Sequence, residues 1–71
     1  FGYEAVGEVS SRLDVMADWQ EENKKGVLYY LKDNRVRGVM LCNVWDKVEE
    51  ARQIIRKKEV VTAEGLKGRI R

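Results

Sequence analysis

Two strand-forming runs joined by an Asp-Asn pair constrain the fold of this chain more than any other feature. Residues 27–32 and 35–43 are rich in β-branched and aromatic side chains, which favour strands. Asp33 and Asn34 lie between the two runs, and both residue types tolerate the positive φ angles that a two-residue turn needs. The sequence therefore predicts a tight β-hairpin.

The pairing of the hairpin follows from its turn. If Asp33 and Asn34 are the two loop residues, one side of the hairpin is wholly apolar and is predicted to face the core. The expected cross-strand pairs on that side are Leu31 with Val36, Tyr29 with Gly38, and Val27 with Met40. The pairing of an aromatic residue with a strand glycine makes physical sense, because the ring can cover the backbone that glycine leaves exposed.

The other side of the hairpin is polar near the turn and apolar at the far end. Lys32, Arg35 and Arg37 crowd the turn, together with Tyr30. The aliphatic residues at the far end are Leu28, Val39 and Leu41. A domain of this size has little material left to cover them. We therefore predict that these three side chains form a docking surface for another domain or subunit, with coverage by the first strands of the same chain as the alternative.

The chain before the hairpin alternates with period two, which is typical of half-buried strands. Residues 3–9 form the first such stretch and residues 13–20 the second. The apolar side of the second stretch consists of Leu13, Val15, Ala17 and Trp19. Residues 21–25 contain no apolar side chain and are predicted to form a solvated loop.

After the hairpin, the pattern changes to that of a helix. Asn43 is predicted to cap a helix that begins at Val44, with acidic residues early and basic residues late, as the helix dipole favours. The stripe expected to pack on the sheet comprises Val44, Val48, Ala51 and Ile55, flanked by Trp45 and Ile54. Thr62 is expected to cap a further single turn over residues 63–66. The predicted fold is α+β in two layers, an antiparallel sheet of about four strands with one main C-terminal helix.

Composition sets the class of protein. The 71 residues are 44% hydrophobic and 37% charged, which favours one small globular domain over residues 1–71. One Cys and no His exclude an intramolecular disulfide and the usual zinc ligand sets. The formal net charge of +2 is too small to require a nucleic-acid partner, and no apolar run approaches the roughly 20 residues of a spanning helix. No membrane association is predicted.

The sequence carries no recognisable catalytic or cofactor-binding motif. Its six glycines do not have the spacing of a phosphate-binding loop, so we predict that this chain binds no cofactor itself. Cys42 has no activating base beside it in sequence and is expected to be a packed thiol. Trp19 and Trp45 are expected to pack in the core or an interface rather than to stack on a ligand. Glu49 and Glu50 project about 100° apart on a helix and cannot act as a catalytic pair.

Scattered basic residues support an alternative function. The possible anion-binding residues are Arg56, Lys57, Lys58, Lys67, Arg69 and Arg71. We favour a solvated helix end for this group, because acidic residues are interspersed with the basic ones along the chain. A free-standing module that contacts nucleic acid through these residues is the alternative.

A family resemblance adds to this interpretation. The residues that carry it are Gly2-Tyr3-Glu4-Ala5-Val6-Gly7, Gly26-Val27-Leu28-Tyr29-Tyr30-Leu31-Lys32-Asp33, Gly38-Val39-Met40-Leu41, Asn43-Val44, Ala51-Arg52 and Ile54-Ile55. Together they resemble the C-terminal domain of the apoptosis-inducing-factor and ferredoxin-reductase family of FAD-dependent oxidoreductases. The likeness extends over most of residues 2–56.

The resemblance implies a noncatalytic C-terminal domain of a larger flavoprotein, from which this chain is expected to be a piece. FAD and NAD(H) or NADP(H) would bind to preceding domains, and this domain would pack beside them, with homodimerisation through it as a further option. The implied compartment is the cytoplasm in a prokaryote and the mitochondrion in a eukaryote. The docking surface of Leu28, Val39 and Leu41 would then contact the flavoprotein core or a second subunit.

Two features depart from the family pattern. Animal members have a long insert where residues 21–25 connect the second and third strands, so a regulatory loop is not expected. Many relatives have an aromatic residue where Cys42 stands, and Trp45 follows three positions later. Any role of that aromatic residue cannot be transferred to Cys42.

Overall fold

The chain folds into one antiparallel sheet with helices on one of its faces. The computed structural model describes residues 2–22 and 24–70. Its elements are β1 (Tyr3–Gly7), β2 (Asp14–Glu21), β3 (Lys25–Lys32), β4 (Arg35–Cys42), α1 (Val48–Lys57) and α2 (Ala63–Leu66). The strand order in the sheet is β1-β4-β3-β2, and α1 packs on β4 and β1. The predicted two-layer α+β fold is confirmed.

The turn of the central hairpin is the one predicted. Asp33 and Asn34 have φ angles of 54° and 61°, so the two loop residues are both left-handed, as a hairpin turn that follows the twist of its strands requires. Beyond the turn, Lys32 pairs with Arg35 and Leu31 with Val36. This end of the hairpin has the predicted register.

A β-bulge then shifts the register by one residue. Tyr30, rather than Tyr29, lies opposite Gly38, and Tyr29 pairs with Val39. The extra residue in β4 is Arg37, whose carbonyl oxygen accepts a hydrogen bond from the backbone N–H of Glu8 at 3.0 Å. The predicted pairings of Tyr29 with Gly38 and of Val27 with Met40 are therefore wrong. Arg37 has no paired residue in β3, and its carbonyl oxygen instead bonds to the segment after β1.

The bulge decides which side chains of β4 lie under the helices. Val39 and Leu41 are completely buried and lie on the same face as Tyr29 and Val27. The prediction that Val39 and Leu41 belong to a docking surface is therefore wrong. Both belong to the core, on the face of the sheet that carries the helices; we call it the covered face.

The outer strands turn their apolar sides away from the helices. Val6 is the buried member of β1, whereas Tyr3 on the other side is 60% exposed. In β2, Val15 lies on the uncovered side. Asp18 lies on the covered face and is only 8% exposed. The Asp18 carboxylate accepts a hydrogen bond from the Gly68 N–H at 2.8 Å, which offsets the cost of burying a charge.

The main helix begins later than predicted. α1 starts at Val48, and Asn43 is not its N-cap: Asn43 has a φ of 53°, and its side chain accepts from the Gly2 N–H and donates to the Lys24 carbonyl. These bonds occupy the side chain that would otherwise cap the helix. Val44 is buried in the loop before α1, and Ala51 and Ile54 are the buried residues of the helix itself.

The segment after α1 completes the core. Thr62 caps α2 as predicted, because its hydroxyl oxygen accepts a hydrogen bond from the Gly65 N–H at 3.1 Å. Leu66 is fully buried and Ile70 is 2% exposed. The Tyr29 hydroxyl donates to the Leu66 carbonyl at 3.3 Å, which joins the sheet to the segment after α1.

Candidate interaction surface

The face of the sheet without helices is apolar across all four strands. We call it the outer face. Its positions form three cross-strand rows: Tyr3, Cys42, Gly26 and Trp19; Ala5, Met40, Leu28 and Ala17; and Gly7, Gly38, Tyr30 and Val15. None of these positions carries a charged side chain. Because directly paired residues share one side of a sheet, the three rows form one continuous surface.

The outer face is only partly covered by the chain itself. Tyr3, Ala5, Val15 and Ala17 are exposed, and Val15 retains 50% of its accessible surface. The residues of intermediate exposure are Trp19, Leu28, Tyr30 and Met40. The exposed positions lie on the edge strands β1 and β2, and the half-buried ones lie mostly between them. Solvent therefore reaches a contiguous apolar area that extends from one edge of the sheet to the other.

Two glycines bring the backbone close to neighbouring atoms on this face. A Cβ atom at Gly26 would lie 2.6 Å from both the Asp18 carbonyl oxygen and the Trp19 ring. A Cβ atom at Gly38 would overlap the carbonyl oxygen of Glu8. The ring of Trp19 thus lies on the bare backbone of β3, as aromatic residues do beside strand glycines. The two positions are filled by neighbours and leave no cavity.

The outer face contains one of the three predicted docking residues. Leu28 lies on it, half-buried between Met40 and Ala17. Val39 and Leu41 lie on the opposite, covered face. Met40, expected on the core side, lies on the outer face because the bulge at Arg37 reverses the faces of β4 beyond it. The apolar alternation of β2 was the available signal for Val15, Ala17 and Trp19.

The single cysteine is part of the outer face but is not reactive by its surroundings. Cys42 is 3% exposed, and burial raises the pKa of its thiol. A raised pKa lowers the fraction of thiolate, which is the nucleophilic form. Cys42 therefore has the character of the packed thiol that was predicted.

Other candidate groups are dispersed. Trp45 is 53% exposed in the loop before α1, so it is not part of the core. Glu49 lies on the exposed side of α1, within 4.0 Å of the guanidinium groups of Arg52 and Arg56. In the described part of the chain, no three His, Cys, Asp or Glu side chains are placed to hold a metal ion.

The predicted anion-binding residues do not form one surface of unpaired charge. Arg56 is within 4.0 Å of Glu49, and Lys57, Lys58, Lys67 and Arg69 are exposed. Arg71 lies outside the described residues. The interspersed acidic residues thus neutralise part of this group, as expected for a solvated helix end.

Residues 2–22 and 24–70 show no glycine-rich loop of the kind that holds a flavin or a nicotinamide dinucleotide. Such groups are held by glycine-rich loops that lead from a strand into the N-terminus of a helix. Here Gly26 and Gly38 lie inside strands, and Gly65 lies inside the short helix α2. The residues between β4 and α1 contain no glycine. These three glycines therefore do not form a loop of that kind.

The helices of the structure are short. Within residues 2–22 and 24–70, no helix combines the length and apolar character needed to cross a membrane.

Comparison with known proteins identifies the family to which this chain belongs. The family model of "Apoptosis-inducing factor, mitochondrion-associated, C-term" matches residues 16–57, which include most of β2, the central hairpin and all of α1. The chain is also 38% identical over 69 residues to apoptosis-inducing factor 1, mitochondrial, from Dictyostelium discoideum. That match covers 84% of this chain and 13% of the relative, so the chain spans a small part of the relative's length. The chain therefore belongs to the family of C-terminal domains of apoptosis-inducing factor.

Proposed function

We propose that this chain is the noncatalytic C-terminal domain of an FAD-dependent NAD(P)H oxidoreductase of the apoptosis-inducing-factor type. In this proposal the outer face packs against the flavin- and nucleotide-binding part of the same polypeptide. The observation that carries the proposal is the outer face itself, three uncharged cross-strand rows that the chain's own helices leave uncovered. The occupant is proposed from length: the matched relative is far longer than its C-terminal domain.

The energetics favour packing at this face. Burying a Val, Leu or Met side chain completely contributes about 1.5 to 3 kcal/mol, so completing the burial of half-exposed Val15 contributes about 1 kcal/mol. Smaller contributions are expected from Leu28 and Met40, which are already more buried than Val15. Because the outer face carries no charge, docking incurs no penalty for dehydrating an ionised group there. The removal of apolar area from water is thus the main source of favourable free energy for docking.

FAD and NAD(H) or NADP(H) belong, in this proposal, to the rest of the parent chain. A flavin there would accept a hydride from the reduced nicotinamide and pass electrons on. No residue of this chain is assigned to that reaction, since its glycines and titratable groups do not form a dinucleotide or catalytic site in the described part of the chain. The contribution of this domain is to cover part of the flavoprotein. For a eukaryotic source, a mitochondrial location is proposed from the name of the Dictyostelium relative.

A second copy of the domain is the competing occupant of the outer face. Pairing of two such faces would produce a symmetric homodimer, the commonest form of oligomer. The two occupants differ in a measurable way. Packing within one polypeptide is independent of protein concentration, whereas dimerisation through this face weakens on dilution.

The test introduces charge on the outer face of the full-length parent. The double variant Val15→Lys/Ala17→Lys places two cations on exposed positions of β2. Gln53→Lys, which places one cation on the exposed side of α1, is the control. In the parent, the double variant is expected to expose the C-terminal domain to limited proteolysis and to lower the unfolding temperature by several degrees. Gln53→Lys is expected to leave both unchanged.

Wild-type-like protease resistance of the double variant at all concentrations would sink the packing proposal. If the parent protein forms dimers, and forms them only when the outer face is intact, the occupant of the outer face is a second copy and not the rest of the same polypeptide. The assignment of the cofactors is tested separately: the 71-residue chain is expected to purify colourless and to leave NADH unoxidised, whereas the parent carries flavin absorbance. Stoichiometric flavin on the isolated chain would overturn that assignment.

A further inference from the structure

A cationic groove lies beside the hairpin turn and shares no residue with the outer face. It has a volume of about 400 Å³ and runs between the turn and the end of α1. Its lining residues are Lys32, Asp33, Arg35, Val36, Arg37, Ile55 and Lys58. Four of these side chains are cationic and one is anionic. The groove therefore has a concentration of positive charge that the net charge of the whole chain does not suggest.

Arg35 is held in position at the edge of this groove. Its Nε donates to the Lys58 carbonyl at 3.0 Å, and its Nη1 donates to the Asp33 carbonyl at 3.3 Å. Both acceptors are uncharged backbone oxygens, so they orient the guanidinium without neutralising it. The remaining N–H groups of the guanidinium can donate to a carboxylate in a fixed geometry. A pre-oriented arginine loses little conformational entropy when it binds an anion.

The groove retains positive charge after its internal pairing. Arg37 forms an ion pair with Glu8, with 3.3 Å between Nη2 and Oε1. Among the described residues, no carboxylate lies within 4.0 Å of the cationic groups of Lys32, Arg35 or Lys58. The C-terminal dipole of α1 explains a cation at Lys58, which caps the helix. It does not explain Lys32, which comes from the hairpin.

The floor of the groove is apolar. Val36 is 2% exposed, and Ile55 is a half-buried residue of α1. An apolar floor with a cationic rim suits a ligand that carries a carboxylate beside an apolar side chain. A nucleic-acid backbone fits less well, because it needs a stripe of cations along several phosphates, and Glu8 and Asp33 interrupt the positive charge here.

We propose that this groove binds an acidic peptide segment of a partner protein. A carboxylate of the segment accepts charge-assisted hydrogen bonds from Arg35, and an adjacent apolar side chain packs against Ile55. Lys32 and Lys58 add attraction at the rim. The groove shares no residue with the outer face, so its binding of a peptide does not depend on the proposed function.

The test compares two peptides on the full parent protein. The probe is a fluorescently labelled peptide of about 12 residues in which two Glu residues alternate with two Leu residues. The control peptide has Gln in place of every Glu. We expect fluorescence anisotropy to report binding of the Glu peptide and no binding of the Gln peptide at equal concentration. Arg35→Gln is expected to weaken binding of the Glu peptide about tenfold, since one charge-assisted bidentate contact is lost. Lys67→Gln, an exposed residue outside the groove, is the control for loss of one charge.

A second variant protects the test against misfolding. Lys32→Gln leaves the bonds of Arg35 to Lys58 and Asp33 intact, and it is expected to weaken binding severalfold. If Lys67→Gln weakens binding of the Glu peptide as much as the groove variants do, the peptide responds to overall charge and the proposal is overturned. The proposal is also overturned if neither Arg35→Gln nor Lys32→Gln changes the affinity for the Glu peptide. Tighter, Arg35-dependent binding of a single-stranded oligonucleotide would overturn it in favour of a nucleic-acid ligand.

Discussion

The two faces of one sheet share the same strands but differ in their surroundings. On the covered face, Tyr29, Val39 and Leu41 have no accessible surface. On the outer face, Tyr3 and Val15 retain 60% and 50% of theirs. Both faces carry mainly apolar residues, so hydrophobicity alone does not tell which one the domain buries in its own core. That choice is made by α1, α2 and the segment that follows them.

The outer face lacks the character of an ordinary solvent-facing sheet. Antiparallel sheets with helices on one side usually alternate apolar residues inward with polar residues outward. Here the reverse occurs in β2, where Asp18 points to the covered face and Val15 and Trp19 point away from it. The domain does not need apolar residues at exposed Val15 for its own core. The outer face is the surface that the proposed packing against the rest of the parent protein would cover.

The largest expected effect contrasts two leucines on opposite faces. Leu41→Ala is expected to lower the free energy of unfolding of the 71-residue chain by about 2 to 5 kcal/mol, because it leaves a cavity in the covered face. Leu28→Ala is expected to cost less, about 1 to 2 kcal/mol, because Leu28 is partly exposed on the outer face. Urea denaturation of both variants measures the difference. Equal losses would contradict the contrast between the two faces.

The next effect concerns a glycine on the outer face. Gly38→Ala is expected to destabilise the chain by about 1 to 3 kcal/mol, since the new methyl group would overlap the Glu8 backbone and could not be relieved by a side-chain rotation. Gly65→Ala, where a Cβ atom would lie 3.3 Å from the Thr62 hydroxyl oxygen, is the milder control. Thermal unfolding compares the two. A neutral Gly38→Ala would show that the chain after β1 does not lie against β4 in this way.

Two adjacent tyrosines extend the contrast to single hydroxyl groups. Tyr29→Phe removes the hydroxyl that donates to Leu66 and is expected to cost about 0.5 to 1.5 kcal/mol. Tyr30→Phe on the outer face is expected to be nearly neutral in the 71-residue chain, because Tyr30 is not buried there. Hydrogen exchange of the amides around Leu66 should increase in Tyr29→Phe alone. If the amides around Leu66 exchange faster in both variants, the two hydroxyls have equivalent roles and the contrast between them is contradicted.

The smallest effect is a dependence on alkaline pH. Burial raises the pKa of the Cys42 thiol above its unfolded value, so the native state holds the proton more tightly. This contribution to stability is fully present below the unfolded pKa and is lost as the pH rises through the folded pKa. Cys42→Ala is therefore expected to lose less stability than the wild type between about pH 7 and pH 10. An identical pH dependence would show that Cys42 does not contribute.

Some of this fold could be predicted from local residue chemistry. Asp33 and Asn34 specify a turn by their tolerance of positive φ, and Thr62 specifies a cap by its hydroxyl. These interactions lie within a few residues of chain and leave a local signal. The four strands and the main helix followed from their hydrophobic periods for the same reason.

The errors came from interactions distant in sequence. The bulge at Arg37 depends on the Glu8 backbone, and the late start of α1 depends on bonds from Asn43 to Gly2 and Lys24. No local pattern encodes such pairs. The bulge then exchanged the faces of Val39 and Leu41, because a shift of one residue in a strand reverses the side to which each side chain points. Leu28, upstream of the turn, kept its predicted side.

Side-chain accessibility in the full-length parent decides whether the outer face is covered there. Hydroxyl-radical labelling read by mass spectrometry reports on Tyr3, Trp19 and Met40, which lie on three different strands of the outer face. We predict that all three are labelled severalfold more slowly in the parent than in the 71-residue chain, at every parent concentration. Equal labelling rates in the two proteins would show that the outer face is open to water in the parent, and would contradict the proposal that it packs against the flavoprotein.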